Sequence, residues 1–174
     1  MLIYEYKFGN NMKTSITIGN VCFLFNTTKD EVLLLKRSRF PMQGMWTGVG
    51  GKTNLMEDIN LSCIREIKEE TNFNIDNVVL KGVIKTILDE TNTSWLLFVY
   101  TSITKEKDFH KCDEGELKWI PVSKIENYQL IGFIKEIFSY IVAENSLIEG
   151  TIIHDKNGKV LKKTLHIEDV EKYA

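Results

Sequence analysis

The segment from residue 51 to residue 73 limits what this chain can fold into more than any other part of it. Its glycine and charged positions are spaced at fixed offsets: Gly51, Glu57, Arg65, Glu66, Glu69 and Glu70. At about 100° per residue, the last three glutamates fall within roughly a third of a helical turn. Leu61, Ile64 and Ile67 fall on nearly the opposite arc. The segment therefore predicts a helix over 58–71 with a carboxylate side and an apolar side that faces the core.

The predicted helix carries three glutamates on one side. Like charges at i, i+3 and i+4 repel, so such a helix either faces bulk water or holds cations. Hard cations such as Mg²⁺ and Mn²⁺ prefer oxygen ligands, and substrate phosphates often complete their coordination. A Lys-Glu-Glu tripeptide alone is typical of a solvated surface. The offsets from Gly51, Glu57 and Arg65 favour the metal site instead.

The residues that flank the helix fit the same interpretation. Gly50 and Gly51 permit close approach of the backbone to a ligand, and the turn can aim a carbonyl at a metal. Arg65 stands four residues before Glu69, within reach of that carboxylate, so it is expected to hold the glutamate rotamer rather than contact substrate. Asn72 stands where a left-handed residue usually closes a helix.

These residues resemble the Nudix box, G-x5-E-x7-R-E-U-x-E-E-x-G-U, in which U is aliphatic or aromatic. Each defining position matches except Asn72, where the family has glycine. The resemblance implies a Mg²⁺ or Mn²⁺ site built from the Gly50 carbonyl and the box glutamates, with Glu66 either ligating metal or orienting the attacking water. It also adds Glu57 as a partner of Arg65. The predicted metal ligands on this segment are Gly50, Glu66, Glu69 and Glu70.

The resemblance extends to the MutT-type nucleoside triphosphate diphosphatases, which include enzymes that hydrolyse 8-oxo-dGTP. Residues 46–52 read Trp-Thr-Gly-Val-Gly-Gly-Lys and match the W-x-G-x-G-G-K pattern of that type. Glu114 lies five residues before Trp119 and corresponds to a further metal ligand or base. The similarity covers roughly residues 14 to 168 and implies the Nudix fold, an α/β/α sandwich around a mixed, mainly antiparallel sheet.

The sequence also offers candidates for contacts with the substrate. The candidates are Arg37, Trp46, Gly51, Lys52 and Tyr128. Arg37 either meets a phosphate or ends a strand, and Trp46 either stacks on a base or fills the rim of the core. Oxidised-purine enzymes of this type carry an acidic residue near a tryptophan before the second helix, but residues 127–132 contain neither Asp nor Trp. Recognition of 8-oxoguanine therefore stays open at this point.

The remaining pattern predicts the other elements of the sandwich. Alternating or continuous apolar runs indicate strands, and helical spacing of isoleucines indicates a second helix. The predicted strands are 14–26, 31–36, 78–88, 95–104 and 117–121, with the helix at 130–143 and a hairpin over 148–167 around residues 155–158. A glycine-rich loop over 38–52 leads into the first helix. A single domain over 1–174, with a core over about 14–168, is expected.

Composition limits the class of protein and the compartment that are expected. The chain has 174 residues, 43% of them hydrophobic, and a net charge of −2, so no basic stripe indicates nucleic-acid binding. It contains no apolar run long enough to span a bilayer, and residues 1–7 lack a signal-peptide pattern. Three widely spread cysteines fit reduced thiols in the cytoplasm. His110, His154 and His166 lack metal-ligand spacing and are expected to be non-catalytic.

The expected function is Mg²⁺-dependent hydrolysis of a nucleoside triphosphate such as 8-oxo-dGTP to monophosphate and pyrophosphate. The catalytic candidates are Arg65, Glu66, Glu69, Glu70 and Glu114, and the expected partner is a small nucleotide bound to a monomer or homodimer. Alternatives are hydrolysis of a dinucleoside polyphosphate, nucleotide sugar or capped RNA, and a non-catalytic nucleotide sensor. An isopentenyl diphosphate isomerase is disfavoured, because the cysteines form no evident cysteine–glutamate pair.

Overall fold

A single eight-stranded sheet with one helix on each face forms the architecture of the computed structural model, which describes residues 15–91 and 93–170. The strands are β1 (Ser15–Asn26), β2 (Glu31–Arg37), β3 (Trp46–Thr47), β4 (Val79–Leu88), β5 (Thr93–Thr104), β6 (Gly115–Pro121), β7 (Ser146–His154) and β8 (Val160–Asp169). The helices are α1 (Ile59–Thr71) and α2 (Gly132–Val142), with short 3-10 turns at Asp89–Thr91 and Val122–Asn127. Across these described ranges, no helix is long and apolar enough to cross a bilayer.

The two faces of β1 show why the sheet carries a helix on each side. Val21, Phe23 and Phe25 point to the face covered by α2, whereas Cys22 and Leu24 point to the face covered by α1. A strand with both faces buried reads as a continuous apolar run rather than an alternating one. The predicted α/β/α sandwich around a mixed sheet is confirmed: β1–β5 and β4–β7 are parallel, and the other long pairs are antiparallel.

The loop over 38–52 enters the sheet where β2 diverges from β1. The strands β1 and β2 pair only through Leu24–Leu33 and Phe25–Val32. The vacated edge of β1 is taken by residues 49–52, since Cys22 exchanges hydrogen bonds with Val49 at 2.6 and 3.0 Å. The Asn20 N–H also donates to the Gly51 carbonyl at 2.9 Å. The predicted loop over 38–52 is therefore strand-like in its second half, and this fixes Gly50 and Gly51 against the sheet.

Most predicted element boundaries lie within two residues of the observed ones, and the first predicted strand starts at residue 14, outside the described residues. The side of α1 that faces the core was predicted incorrectly at one position. Leu61 is 61% exposed. The buried side of α1 instead passes through Cys63, Ile67 and Glu70, because a hydrogen bond from the Gly50 N–H draws Glu70 inward.

Asn72 closes α1 in the left-handed conformation, at φ 68°, and its N–H donates to the Lys68 carbonyl at 2.9 Å. This confirms the interpretation of the box departure as a helix cap. We expect Asn72→Ala to lower the free energy of unfolding by about 1 kcal/mol, because a Cβ without a polar group is strained at positive φ. Asn72→Gly should stay within about 0.5 kcal/mol of the parent. Urea unfolding of the three proteins measures the difference, and equal stability of the Ala and Gly variants would contradict it.

Candidate active site

The turn before α1 brings the backbone of two glycines against two glutamates of the helix. Asp58 caps α1 by accepting hydrogen bonds from the N–H groups of Asn60 and Leu61, which fixes where the helix starts. The Gly50 N–H donates to Glu70 Oε2 at 2.9 Å. A Cβ added to Gly51 would lie 2.5 Å from a carboxylate oxygen of Glu66. Glycine at position 51 therefore leaves room for that carboxylate.

Glu70 is a buried carboxyl group that lacks part of its expected hydrogen bonding. The residue is 4% exposed, and its Oε1 has no hydrogen-bond partner. Burial raises the pKa of Glu70 to about 8, the nearby charges of Glu114 and Glu66 act in the same direction, and the Gly50 N–H opposes the shift. A buried carboxylate with an open oxygen is costly unless a positive charge compensates it. The environment of Glu70 therefore favours a bound cation.

Arg65 organises the remaining box carboxylates. Its Nε and Nη2 bind both oxygens of Glu57 at 2.7 and 2.9 Å, and Nη1 binds one oxygen each of Glu66 and Glu69 at 2.9 Å. The pairs with Glu69 and Glu57 were predicted, whereas the pair with Glu66 was not. The bidentate bond from Arg65 lowers the pKa of Glu57 to about 2, whereas burial raises the pKa of Glu66 despite the opposing effect of Arg65. Arg65 thus keeps Glu57 ionised and orients the glutamates on the helix.

The donor set fits a hard divalent cation. It offers carboxylate oxygens from α1, the open oxygen of Glu70, and the adjacent Gly50 turn. Within residues 15–91 and 93–170, no three acidic, histidine or cysteine side chains already stand at metal-ligand spacing. Arg65 instead pairs with one oxygen each of Glu66 and Glu69. The predicted ligand roles of Gly50, Glu66, Glu69, Glu70 and Glu114 stay predictions.

A cavity of about 620 Å³ opens beside these groups. Of the predicted site residues, Arg37, Gly50, Gly51, Lys52, Glu66 and Glu114 line it. Glu114 lies just before β6, and its carbonyl accepts hydrogen bonds from the N–H and hydroxyl of Ser38 at 2.9 and 2.7 Å. Two cationic side chains and two carboxylates thus share one cavity, a combination suited to a phosphate bound through a cation.

Two of the predicted substrate contacts lie elsewhere. Trp46 is 7% exposed and packs in the core on the α2 side, and Tyr128 meets it edge-on with ring centroids 5.5 Å apart. Neither side chain lines the cavity. Cys22 and Cys63 are fully buried, and Cys112 is 7% exposed. None of these three residues lines the cavity.

The sequence interpretation missed the inner part of the cavity. That part is built from Thr86, Trp95, Leu97, Phe133 and His154. One signal was present in the sequence: positions 148, 150, 152 and 154 alternate along β7, so His154 falls on the same buried face as Ile148 and Ile152. The partners of His154 could not be predicted, because they come from strands that are distant in sequence.

The comparisons with known proteins agree with this geometry. The NUDIX domain model matches residues 17–141. The chain is 29% identical over 148 residues to the uncharacterized Nudix hydrolase YvcI of Bacillus subtilis. The alignment covers 83% of this chain and 92% of the relative. The crystal structure of the mutator MutT protein from Bacillus halodurans has a TM-score of 0.75 and 28% identity, and covers 86% of this chain and 97% of that one.

A more distant structure shares the fold. The NUDIX domain of Shewanella oneidensis NrtR, cocrystallised with ADP ribose, has a TM-score of 0.64 and 16% identity, over 76% of this chain and 90% of that one. Nudix hydrolases act on phosphoric anhydride bonds and generally use a divalent metal. The domain model covers well over half of the residues, and the box stands on α1 beside the cavity. The chain therefore belongs to the Nudix family and is a hydrolase of the MutT type.

Proposed function

We propose that the chain is a Mg²⁺-dependent hydrolase that cleaves a nucleoside triphosphate to a nucleoside monophosphate and pyrophosphate. The observation that carries the proposal is buried Glu70: its Oε1 has no hydrogen-bond partner, and its Oε2 accepts from the N–H of Gly50, a residue that lines the cavity. Glu66, Glu69, Glu70, the Gly50 carbonyl and Glu114 are the groups that would hold the cation. Bound Mg²⁺ neutralises charge on phosphate oxygens and polarises the phosphoryl group.

The protein groups around the cavity would divide the remaining tasks. Arg37 and Lys52 line it and supply positive charge for the phosphates. Glu66 and Glu114 also line it, and either carboxylate can accept the proton that the attacking water loses. Arg65 would act by holding Glu66 and Glu69 in place. The aromatic inner part of the cavity offers a surface for a base.

Product analysis tests this function. The full chain is incubated with Mg²⁺ and, in parallel, dGTP, 8-oxo-dGTP and ADP-ribose, with Glu70→Gln as the blank. We expect pyrophosphate and monophosphate from a nucleoside triphosphate. Orthophosphate with a nucleoside diphosphate would contradict the proposed bond cleavage. Turnover of ADP-ribose alone would replace the proposed substrate with a nucleotide sugar.

The same assay separates an enzyme from a nucleotide sensor. Dialysis against a chelator should stop pyrophosphate release, and added Mg²⁺ should restore it. A sensor would instead bind nucleotide without turnover in either condition. Nucleotide binding without turnover of any tested compound would exclude hydrolysis of these substrates.

A further inference from the structure

The inner part of the cavity, which contains His154, lies several strands away from Glu66 and the other box carboxylates. Along the sheet the order is β1, β5, β4 and β7. Gly51 pairs with the edge of β1, whereas His154 ends β7. Three strand spacings of about 4.8 Å put β7 about 14 Å from β1. A nucleotide whose phosphates lie at Lys52 and Gly51 would therefore point its base towards His154.

His154 presents a hydrogen-bond acceptor to the cavity. The residue lines the cavity and is only 6% exposed. Its Nδ1 lies 3.0 Å from the Asp155 carbonyl oxygen, and because a carbonyl only accepts, Nδ1 carries the proton. In the neutral imidazole, Nε2 is then the acceptor. The bond to Asp155 uses Nδ1, which leaves Nε2 as the ring nitrogen that can accept a hydrogen bond from a ligand.

The surroundings of His154 suit a flat heterocycle. Leu88 on β4 pairs with His154, and Thr86, two residues before Leu88, pairs with Trp95 on β5. The side chains of Thr86, Trp95 and His154 therefore lie on one face of the sheet. Phe133, at the start of α2, lines the same cavity. Aromatic walls bind the faces of a base, and the imidazole and the hydroxyl are left to select among its edges.

We propose that His154 Nε2 accepts a hydrogen bond from an N–H group of the substrate base, with the Thr86 hydroxyl as its neighbour. The proposal rests on the proposed function, since it places a nucleotide in this cavity. It favours bases that turn a donor towards β7: an exocyclic amine of adenine or guanine, or the N7–H that 8-oxoguanine carries where guanine has a lone pair. A buried acceptor facing another acceptor loses its hydrogen bond, so the mismatched base is rejected.

Pairs of monophosphates in which one member carries an additional N–H donor test the proposal without turnover. Calorimetry compares AMP with purine riboside monophosphate, GMP with IMP, and 8-oxo-dGMP with dGMP. For at least one pair, we expect wild type to bind the donor-bearing member about tenfold more tightly. His154→Phe keeps a flat ring without an acceptor and should reduce this preference to less than twofold. His154→Gln, whose amide oxygen can reach the position of Nε2, should restore most of it.

Controls distinguish a lost contact from a damaged fold. Thr86→Val removes the neighbouring hydroxyl at nearly constant shape and leaves the imidazole in place. It should therefore weaken the preference less than His154→Phe does, and thermal unfolding checks that each variant is folded. No preference in wild type for any pair, or a preference that survives in folded His154→Phe, would overturn the proposal. Either of these two results, obtained with a wild-type protein that still releases pyrophosphate from a triphosphate, would refute the role of His154 and leave the proposed function standing.

Discussion

Glu70→Gln should lower kcat by roughly a thousandfold and, in the metal-free protein, raise stability at alkaline pH. The activity falls because an amide is a poor ligand for a hard cation, so charge compensation at the phosphates is lost. The stability rises because a neutral amide fills the buried position without the cost of a buried charge. The hydrogen bond from the Gly50 N–H is kept, since Gln retains a carbonyl oxygen.

The pH dependence of this stability has a defined sign. The pKa of Glu70 in the folded protein, about 8, lies above that of an unfolded chain. Folding favours the protonated carboxyl of Glu70. The stability that this group contributes is therefore complete below about pH 4 and is lost as the pH rises to about 8. Metal-free wild type should therefore lose on the order of a few kcal/mol over this range through Glu70. Metal binding should reverse the loss and release a proton near neutral pH.

Glu69→Gln is the matched control for Glu70→Gln. Glu69 is on the same helix and pairs with Arg65, but its side chain is 59% exposed. Its replacement should reduce activity without changing how stability depends on pH. Chemical unfolding in chelator at pH 5, 7 and 9 compares the three proteins, and pyrophosphate release measures activity. Full activity in Glu70→Gln would refute the site, and a parallel pH profile for both variants would refute the buried acid.

Gly51→Ala should reduce kcat about a hundredfold while the protein stays folded. The added Cβ would lie 2.5 to 2.7 Å from the carboxylate atoms of Glu66. That carboxylate ends a flexible side chain, so it can move away, but the move breaks its position beside Arg65. Displacement of a reacting group by about 1 Å costs on the order of a hundredfold in rate. The loss should appear in kcat, with little change in Tm.

Gly48→Ala provides the contrast on the same loop. A Cβ there would lie 2.5 Å from the Cys22 carbonyl oxygen, which belongs to the backbone of β1 and cannot yield cheaply. We therefore expect Gly48→Ala to lower Tm, and Gly51→Ala to lower turnover. Circular dichroism melts and pyrophosphate assays on both proteins measure the two effects. A large fall in Tm for Gly51→Ala, or an unchanged kcat, would contradict the packing of Glu66 against Gly51.

The parts of the site that the sequence predicted are local in the chain. Arg65, Glu66, Glu69 and Glu70 share one helix, so a fixed rise and rotation per residue relate them before any tertiary contact forms. The inward turn of Glu70 and the exposure of Leu61 were not predictable in this way, because the hydrogen bond from Gly50 fixes the rotation of α1 on the sheet. Helical periodicity gives the relative positions of side chains but not which arc is buried.

The inner cavity was missed for a related reason. Thr86, Trp95, Phe133 and His154 meet through strand register and the packing of α2, neither of which leaves a local pattern. Trp46 was a candidate because it opens the W-x-G-x-G-G-K pattern, with a place at the rim of the core as the alternative, and Tyr128 because it precedes the second helix; in the structure the two rings contact each other. An apolar ring in a sequence predicts burial more reliably than it predicts what the ring contacts.

The layout of the cavity has a consequence for how such an enzyme can diversify. One end of the cavity uses Glu66 of α1 and the loop that borders β1, whereas the inner part uses β4, β5, β7 and the start of α2. Mutations in the inner part leave the box glutamates and Arg65 unchanged, so substrate preference can change while the residues proposed for bond cleavage are kept. A library randomised at positions 86, 133 and 154 would therefore explore new substrates from a scaffold that keeps its reaction.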